Sequence, residues 1–157
     1  MNITLILIGK TDADYLKIGV DLYLKRLKHY INFKTIVIPD IKKKKNLSIE
    51  QQKKEEGYFI LKQIKNDDFI VLLDENGKSY TSEEFSSFIN KKMISGIKNL
   101  IFIIGGPYGF SDDIYKIAQQ KIALSEMTFS HQMVRLIFVE QVYRAFTILK
   151  NEPYHHK

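Results

Sequence analysis

The chain has 157 residues, 45% of them hydrophobic and 12% aromatic, with 24 Lys and Arg against 18 Asp and Glu and a net charge of +6. That apolar content suits a single domain over residues 1–157 with a real core. The lack of any cysteine excludes a disulfide framework, a thiolate zinc site and a thiol nucleophile.

The charge is uneven. Residues 1–66 hold 14 Lys and Arg against 7 Asp and Glu, while residues 67–157 hold 10 against 11. A polyanionic partner such as nucleic acid fits this asymmetry, and so does a merely solubilising surface.

The opening MNITLILIGK has no basic residue before its short apolar run. It reads as a buried strand, Ile3 to Ile8, rather than a secretory leader. No apolar run approaches membrane-spanning length, so a soluble, cytoplasmic protein without membrane contact is expected. From Asp12 or Asp14 to His29, Leu16, Val20, Tyr23, Leu24 and Leu27 recur at helical spacing, with Lys17, Lys25, Arg26 and Lys28 elsewhere around the turn. Phe33 to Ile38 predicts a second strand, stopped by Pro39.

Lys42, Lys43, Lys44 and Lys45 follow without hydrophobic period, a loop suited to phosphates or simply to solubility. Ser48 and Gln51 have capping-box spacing and open a helix to about Ile64, with Tyr58, Phe59, Leu61 and Ile64 turned inward. Phe69 to Leu73 predicts a third strand and Asp74 to Lys78 a turn. A helix capped by Thr81 or Ser82 runs to about Ile94, with Gly96 ending it. Leu100 to Ile104 is the fourth strand, Ser111-Asp112-Asp113 opens a short helix through Gln119, and Lys121 to Leu124 suits a fifth strand. His131 to Leu149 reads as a helix apolar nearly all round, as in a core or an oligomer interface.

Such alternation predicts an α/β fold: a mostly parallel sheet with helices on both faces. Ligands sit at the carboxyl ends of such strands, which selects three loops: Leu73 to Lys78, Gly105 to Phe110, and Leu124 to His131. Gly105-Gly106-Pro107-Tyr108-Gly109 is neither GxGxxG nor a P-loop, and suits either close backbone approach to a ligand or a tight turn. On the last helix His131 and Arg135 share one side, with Glu140, Arg144 and Thr147 nearly opposite. Glu140 and Arg144 have the spacing of an ion pair. The tail Pro153-Tyr154-His155-His156-Lys157 suits a frayed end. Its adjacent histidines lack further ligands at metal spacing, so no metal is expected, and no nucleophile elbow accompanies Ser125, Ser130 and His131.

GGPYG, LSEMTFSHQMVR, VEQVYRAF and PYHHK, with ITLILIGK, YLKRL, IVIPD, the Lys-Glu-Glu-Gly at 54 to 57 and LLDENGK, resemble the RlmH family. These are small bacterial SPOUT-class enzymes that methylate N3 of a pseudouridine in 23S ribosomal RNA. The resemblance covers essentially the whole chain, with MTFSHQMVR and the terminal PYH as its most specific parts. It implies a C-terminal trefoil (α/β) knot of SPOUT type, a homodimer, and S-adenosyl-L-methionine as methyl donor. By the same likeness the donor is held by Leu73, Gly105, Leu124, Ser125, Glu126, Met127, Thr128 and Phe129. Ser130 stands where the family commonly has Pro, Tyr108 where relatives vary, and His156 where Arg is frequent.

Methyl transfer from a sulfonium needs alignment, exclusion of water and loss of the nucleophile's proton, and cationic donors near an imide's carbonyls stabilise the anion that forms. The resemblance thus points to Arg144, Tyr154 and His155 for target binding and polarisation. His131 and Arg135 fall near the donor or the RNA backbone, and Lys42 to Lys45 suit RNA phosphates. The implied substrate is large-subunit ribosomal RNA in the assembled ribosome. A SPOUT enzyme acting on another RNA, such as transfer RNA, and a non-enzymatic module binding RNA or a nucleotide are the alternatives left open.

Overall fold

Both faces of the sheet are covered, which is why its strands read as unbroken apolar runs. In the computed structural model, which describes residues 1–41 and 47–156, five strands form one sheet: β1 (Asn2–Ile8), β2 (Asn32–Ile38), β3 (Phe69–Ser79), β4 (Asn99–Ile104) and β5 (Gln120–Ala123). All pairings are parallel, in the order β2-β1-β4-β3-β5. Side chains alternate between the faces. Ile3, Leu5 and Leu7 of β1 join Leu100, Phe102 and Ile104 of β4 in one core, while Ile6, Ile8, Ile101 and Ile103 enter the other.

Helices α1 (Asp14–Leu27), α3 (Ser82–Ile94) and α5 (Met133–Leu149) pack on the first face, with α5 touching both others. On the second face α2 (Ile49–Leu61) packs with α4 (Asp112–Ile117). Ser48 with Gln51 and Thr81 with Glu84 each close both hydrogen bonds of a capping box, which starts α2 and α3 where the sequence predicts. Among the described residues no helix is long and apolar enough to cross a membrane. The lysines from Lys42 to Lys45 lie outside the described residues.

Three expectations are corrected. Asp74 to Lys78 is not a chain-reversing turn but part of β3: Leu73 and Lys78 both pair with Ile122, so the intervening residues leave the ladder and the strand resumes beyond them. In α2 the buried face is Gln52, Glu56, Gly57 and Ile60, whereas Tyr58, Phe59 and Leu61 are exposed. Gly57 sets that phase, because a Cβ there would strike Ser111 Oγ, and the helix lays its smallest residue against the start of α4. Finally, α4 ends at Ile117 and β5 begins at Gln120; Gln119 between them exchanges hydrogen bonds with the Ile70 backbone, donating its N–H at 3.0 Å and accepting at 2.6 Å through Oε1.

Candidate active site

β3, β4 and β5 end on one side of the sheet, and the segments leaving them enclose a cavity of about 610 Å³. Its walls are Leu73 to Asn76 from β3, Gly105 to Phe110 after β4, and Leu124 to His131 after β5, Glu126 excepted. The three loops selected from the strand pattern thus meet in one place. Gly109 holds φ +77°, a conformation that other residues adopt only under strain, and it pairs with Gly106 in a short bridge that folds the glycine loop over the cavity.

Leu73, Gly105, Leu124, Ser125, Met127, Thr128 and Phe129, the residues expected to hold the donor, all line this one cavity. Glu126 does not line the cavity and is exposed. The Ser125 hydroxyl accepts the Met127 N–H at 2.9 Å, a local turn that directs the side chain between them outward.

The electrostatics of the cavity are one-sided. Among the described residues no Lys or Arg lines it, but Asp74 and Glu75 do. Their partners are neutral donors: the Tyr115 hydroxyl reaches Asp74 Oδ2 at 2.6 Å, the Asn76 N–H reaches Oδ1 at 2.8 Å, and the Thr128 hydroxyl reaches Glu75 Oε2 at 3.0 Å. Among the described residues no Lys or Arg pairs with either carboxylate, so the field there favours a cationic ligand and opposes a phosphate. Burial, and then the bond to Asp74, push the Tyr115 phenol up to about 12.

His131 lines the cavity and is exposed, but its helical neighbour Arg135 is placed quite differently. Arg135 is fully buried, and its guanidinium donates to the Ile8 carbonyl at 2.6 Å, to Thr11 Oγ1 at 2.9 Å and to the His131 carbonyl at 3.0 Å. Burial lowers its pKa, against the opposing pull of Asp12 and Asp40. Expected near the donor or the RNA backbone, Arg135 here has no exposed surface and ties the end of β1 to the start of α5.

The other predicted residues form a second cluster. At the end of α5 the Glu152 N–H bonds the Thr147 carbonyl and the Asn151 N–H bonds the Ile148 carbonyl, with Asn151 at φ 53°. This Schellman turn folds the tail back along its own helix. There Arg144 grips Glu140 Oε1 through Nη2 at 2.6 Å and Nε at 3.1 Å, and Tyr154 donates to the same oxygen at 3.0 Å. The Tyr154 ring lies 4.8 Å from the guanidinium carbon, and its hydroxyl is 3.2 Å from that of Tyr23. His155 contacts Arg144 through Nδ1 at 3.4 Å and Glu83 through Nε2 at 3.1 Å. Arginine can only donate, so Nδ1 accepts and the Nε2–H donates to Glu83. The tail is an ordered cluster rather than a frayed end. The bond to Glu140 raises the Arg144 pKa, and burial raises that of Tyr154.

Among the described residues no group of three or more His, Asp or Glu is placed to hold a metal. Sequence reasoning missed the acidic lip, although an Asp-Glu pair at the carboxyl end of a predicted strand was a usable signal. For Glu83 and Tyr23 there was none, since 72 and 131 positions separate them from their partners in the tail.

The family model described as "Predicted SPOUT methyltransferase" matches residues 1–155. Proteins named "Ribosomal RNA large subunit methyltransferase H" are similar over the full length of both chains. The one from Christiangramia forsetii is 61% identical over 157 residues, covering 100% of each; that from Flavobacterium psychrophilum is 62% identical and that from Parabacteroides distasonis 59%, with the same coverage.

Proposed function

The chain belongs to the SPOUT methyltransferase family, and we propose that it transfers a methyl group from S-adenosyl-L-methionine to N3 of a pseudouridine in large-subunit ribosomal RNA, on the assembled ribosome. Relatives at about 60% identity whose names state the ribosomal RNA substrate support the reaction class. The observation that carries the reading is the cavity at the ends of β3, β4 and β5, whose lip holds Asp74 and Glu75 and, among the described residues, no Lys or Arg.

The residues present fit that donor. Leu73, Ile104, Leu124 and Val134 offer an apolar wall for an adenine, and Asp74 and Glu75 suit the ammonium and sulfonium charges. When bound, the donor supplies a methyl on a positively charged sulfur, which needs no covalent help from the protein. The chain's task is then to align the target, exclude water and lower the cost of losing the N3 proton. In this reading Arg144 faces a carbonyl of the target base and stabilises the developing anion. Tyr154 stacks on or bonds the extruded base, and His155 completes its grip.

Arg144 stands ten positions along α5 from Val134, which lines the cavity; at helical rise that is about 15 Å. One chain's tail cluster is therefore remote from its own cavity. We place the target between the cavity of one subunit and the tail of a second copy, in a homodimer whose contact includes the outer side of α5, with the knotted path of the family's C-terminal segment.

The test is transfer of labelled methyl to ribosomes from a strain lacking the homologous gene, with and without prior pseudouridylation. Label confined to pseudouridylated large-subunit RNA is the expected result. Donor binding without ribosome labelling would send the search to other RNAs. Mixing tail-deleted subunits with Gly105→Trp subunits should restore activity in the mixed dimer, and no restoration would sink the shared site.

A further inference from the structure

Beside the donor cavity lies a second of about 590 Å³, with Asp74, Asn76, Tyr115, Gln119, Gln120 and Lys121 in its wall. Asp74, Asn76 and Tyr115 belong to both cavities, so the 2.6 Å bond from the Tyr115 hydroxyl to Asp74 stands as the partition between them. We propose that this second cavity is a nucleotide subsite, holding a nucleotide of the RNA that flanks the target base. Tyr115 is its stacking face, Asn76 its reader of a base edge and Lys121 its phosphate contact. The proposal rests on the methyltransferase reading above.

Two groups of this wall, the Asn76 amide and the Lys121 ammonium, are open to a ligand. Gln119 and Gln120 are already used, the first by the Ile70 N–H and the second by the Tyr80 hydroxyl. Asn76 has its backbone N–H bonded to Asp74, while among the described residues its exposed side-chain amide has no hydrogen-bond partner. Lys121 is exposed and pairs with no carboxylate among the described residues; its ammonium lies 5.6 Å from the centre of the Tyr115 ring. Lys116, near it in sequence, pairs instead with Asp113 at 3.7 Å.

Tyr115 is also built for stacking. Its hydroxyl is tethered to Asp74 and its ring stands edge-on to Phe110 at 5.8 Å and 83°, yet 37% of the residue is exposed. A fixed, open aromatic face offers stacking without a further ordering cost, and every base has a face to accept it. The volume lies within the range of small-ligand sites.

Charge divides the two cavities. On the donor side Asp74 and Glu75 both face the ligand and no Lys or Arg does, among the described residues; on the other Glu75 is absent from the wall and the ammonium of Lys121 offsets the shared Asp74. A cationic donor and an anionic nucleotide are thereby sorted to opposite sides of the Tyr115–Asp74 bond.

The experiment is steady-state methylation of ribosomes by Lys121→Gln, with Lys116→Gln as a control that removes the same charge outside the cavity. Donor affinity is measured in parallel by calorimetry. Lys121→Gln should raise KM for ribosomes about five- to tenfold and lower the slope of log KM against log salt by about one, as expected for one lost phosphate contact. Its kcat and donor Kd should stay near wild type, because Lys121 does not line the donor cavity. Tyr115→Leu should raise KM further, and Tyr115→Phe, which keeps the ring but frees it from Asp74, should raise it less than Tyr115→Leu does. If Lys121→Gln matches Lys116→Gln in KM and salt slope while the wild type labels ribosomes normally, the subsite is overturned alone. A wild type that binds the donor and labels no ribosome overturns the parent reading and the subsite with it.

Discussion

Arg135 and Ile8 are 127 positions apart in the chain and 2.6 Å apart in space, the guanidinium donating to the last carbonyl of β1. With Thr11 and the His131 carbonyl as further acceptors, the buried cation is satisfied where few side chains could be. It holds the segment that opens α5, and hence the third wall of the cavity beyond β3, β4 and β5, against the sheet.

Arg135→Met should therefore destabilise the fold by about 2–4 kcal/mol, since it strands buried acceptors that were bonded to a charge. Arg135→Lys should recover little, because an ammonium lacks the planar fork that reaches three acceptors. Urea unfolding measures both. A variant with wild-type stability and weakened ribosome binding would restore the RNA-contact role.

Glu140 accepts from both Arg144 and Tyr154, so Glu140→Gln should loosen the tail without removing either group. The ion pair is only partly shielded, with 25% and 17% of the two side chains exposed, and its loss should cost about 1 kcal/mol of stability. Catalysis should suffer more: kcat for ribosome methylation is expected to fall at least about tenfold, as for a displaced positioning group, with donor Kd unchanged. Single-turnover kinetics beside an unfolding curve separates the two effects.

Asp74→Asn and Glu75→Gln should weaken binding of the cationic donor while leaving the neutral-sulfur product, S-adenosyl-L-homocysteine, less affected. Each solvent-facing charge is worth roughly two- to fivefold in affinity, declining with salt. Calorimetric titration of both ligands at two salt concentrations checks this. Equal losses for donor and product would show that the lip recognises something other than the sulfonium.

The Tyr115 phenol, raised from 10.0 to about 12 by burial and Asp74, gives stability that is fully present below pH 10 and lost as pH rises toward 12. Tyr30, held by Glu152, and Tyr154 are raised as well, so the decline should continue above that window. Tyr115→Phe should lower stability at neutral pH yet flatten its fall between pH 10 and 12. A fall of unchanged steepness in that variant would assign the titration to other groups.

Gly109→Ala forces a Cβ into positive φ and should cost about 1–3 kcal/mol. The strain falls on the loop over the cavity, so donor affinity should drop together with melting temperature, measured by calorimetry and thermal unfolding.

Much of this protein is set by local patterns. Short apolar runs rich in β-branched residues and followed by Gly, such as Ile3 to Ile8 and Leu100 to Ile104, read as strands covered on both faces, and the capping boxes at Ser48 and Thr81 begin their helices through contacts three residues away. The loops that meet at the cavity beyond β3, β4 and β5 were legible for the same reason, because parallel strands place their carboxyl ends together whatever their order. Tertiary structure decided what depends on distant neighbours. Gly57 against Ser111 rotated α2 away from its most apolar face. β5 drew Lys78 and Ser79 back into its ladder beyond the residues where local chemistry called for a turn. Arg135, whose position on the helix suited a phosphate, found a carbonyl 127 residues upstream, and the tail found Glu83 and Tyr23. A charged or amide side chain carries no local sign of which partner satisfies it, because burial and long-range bonding select that partner only when the chain closes on itself.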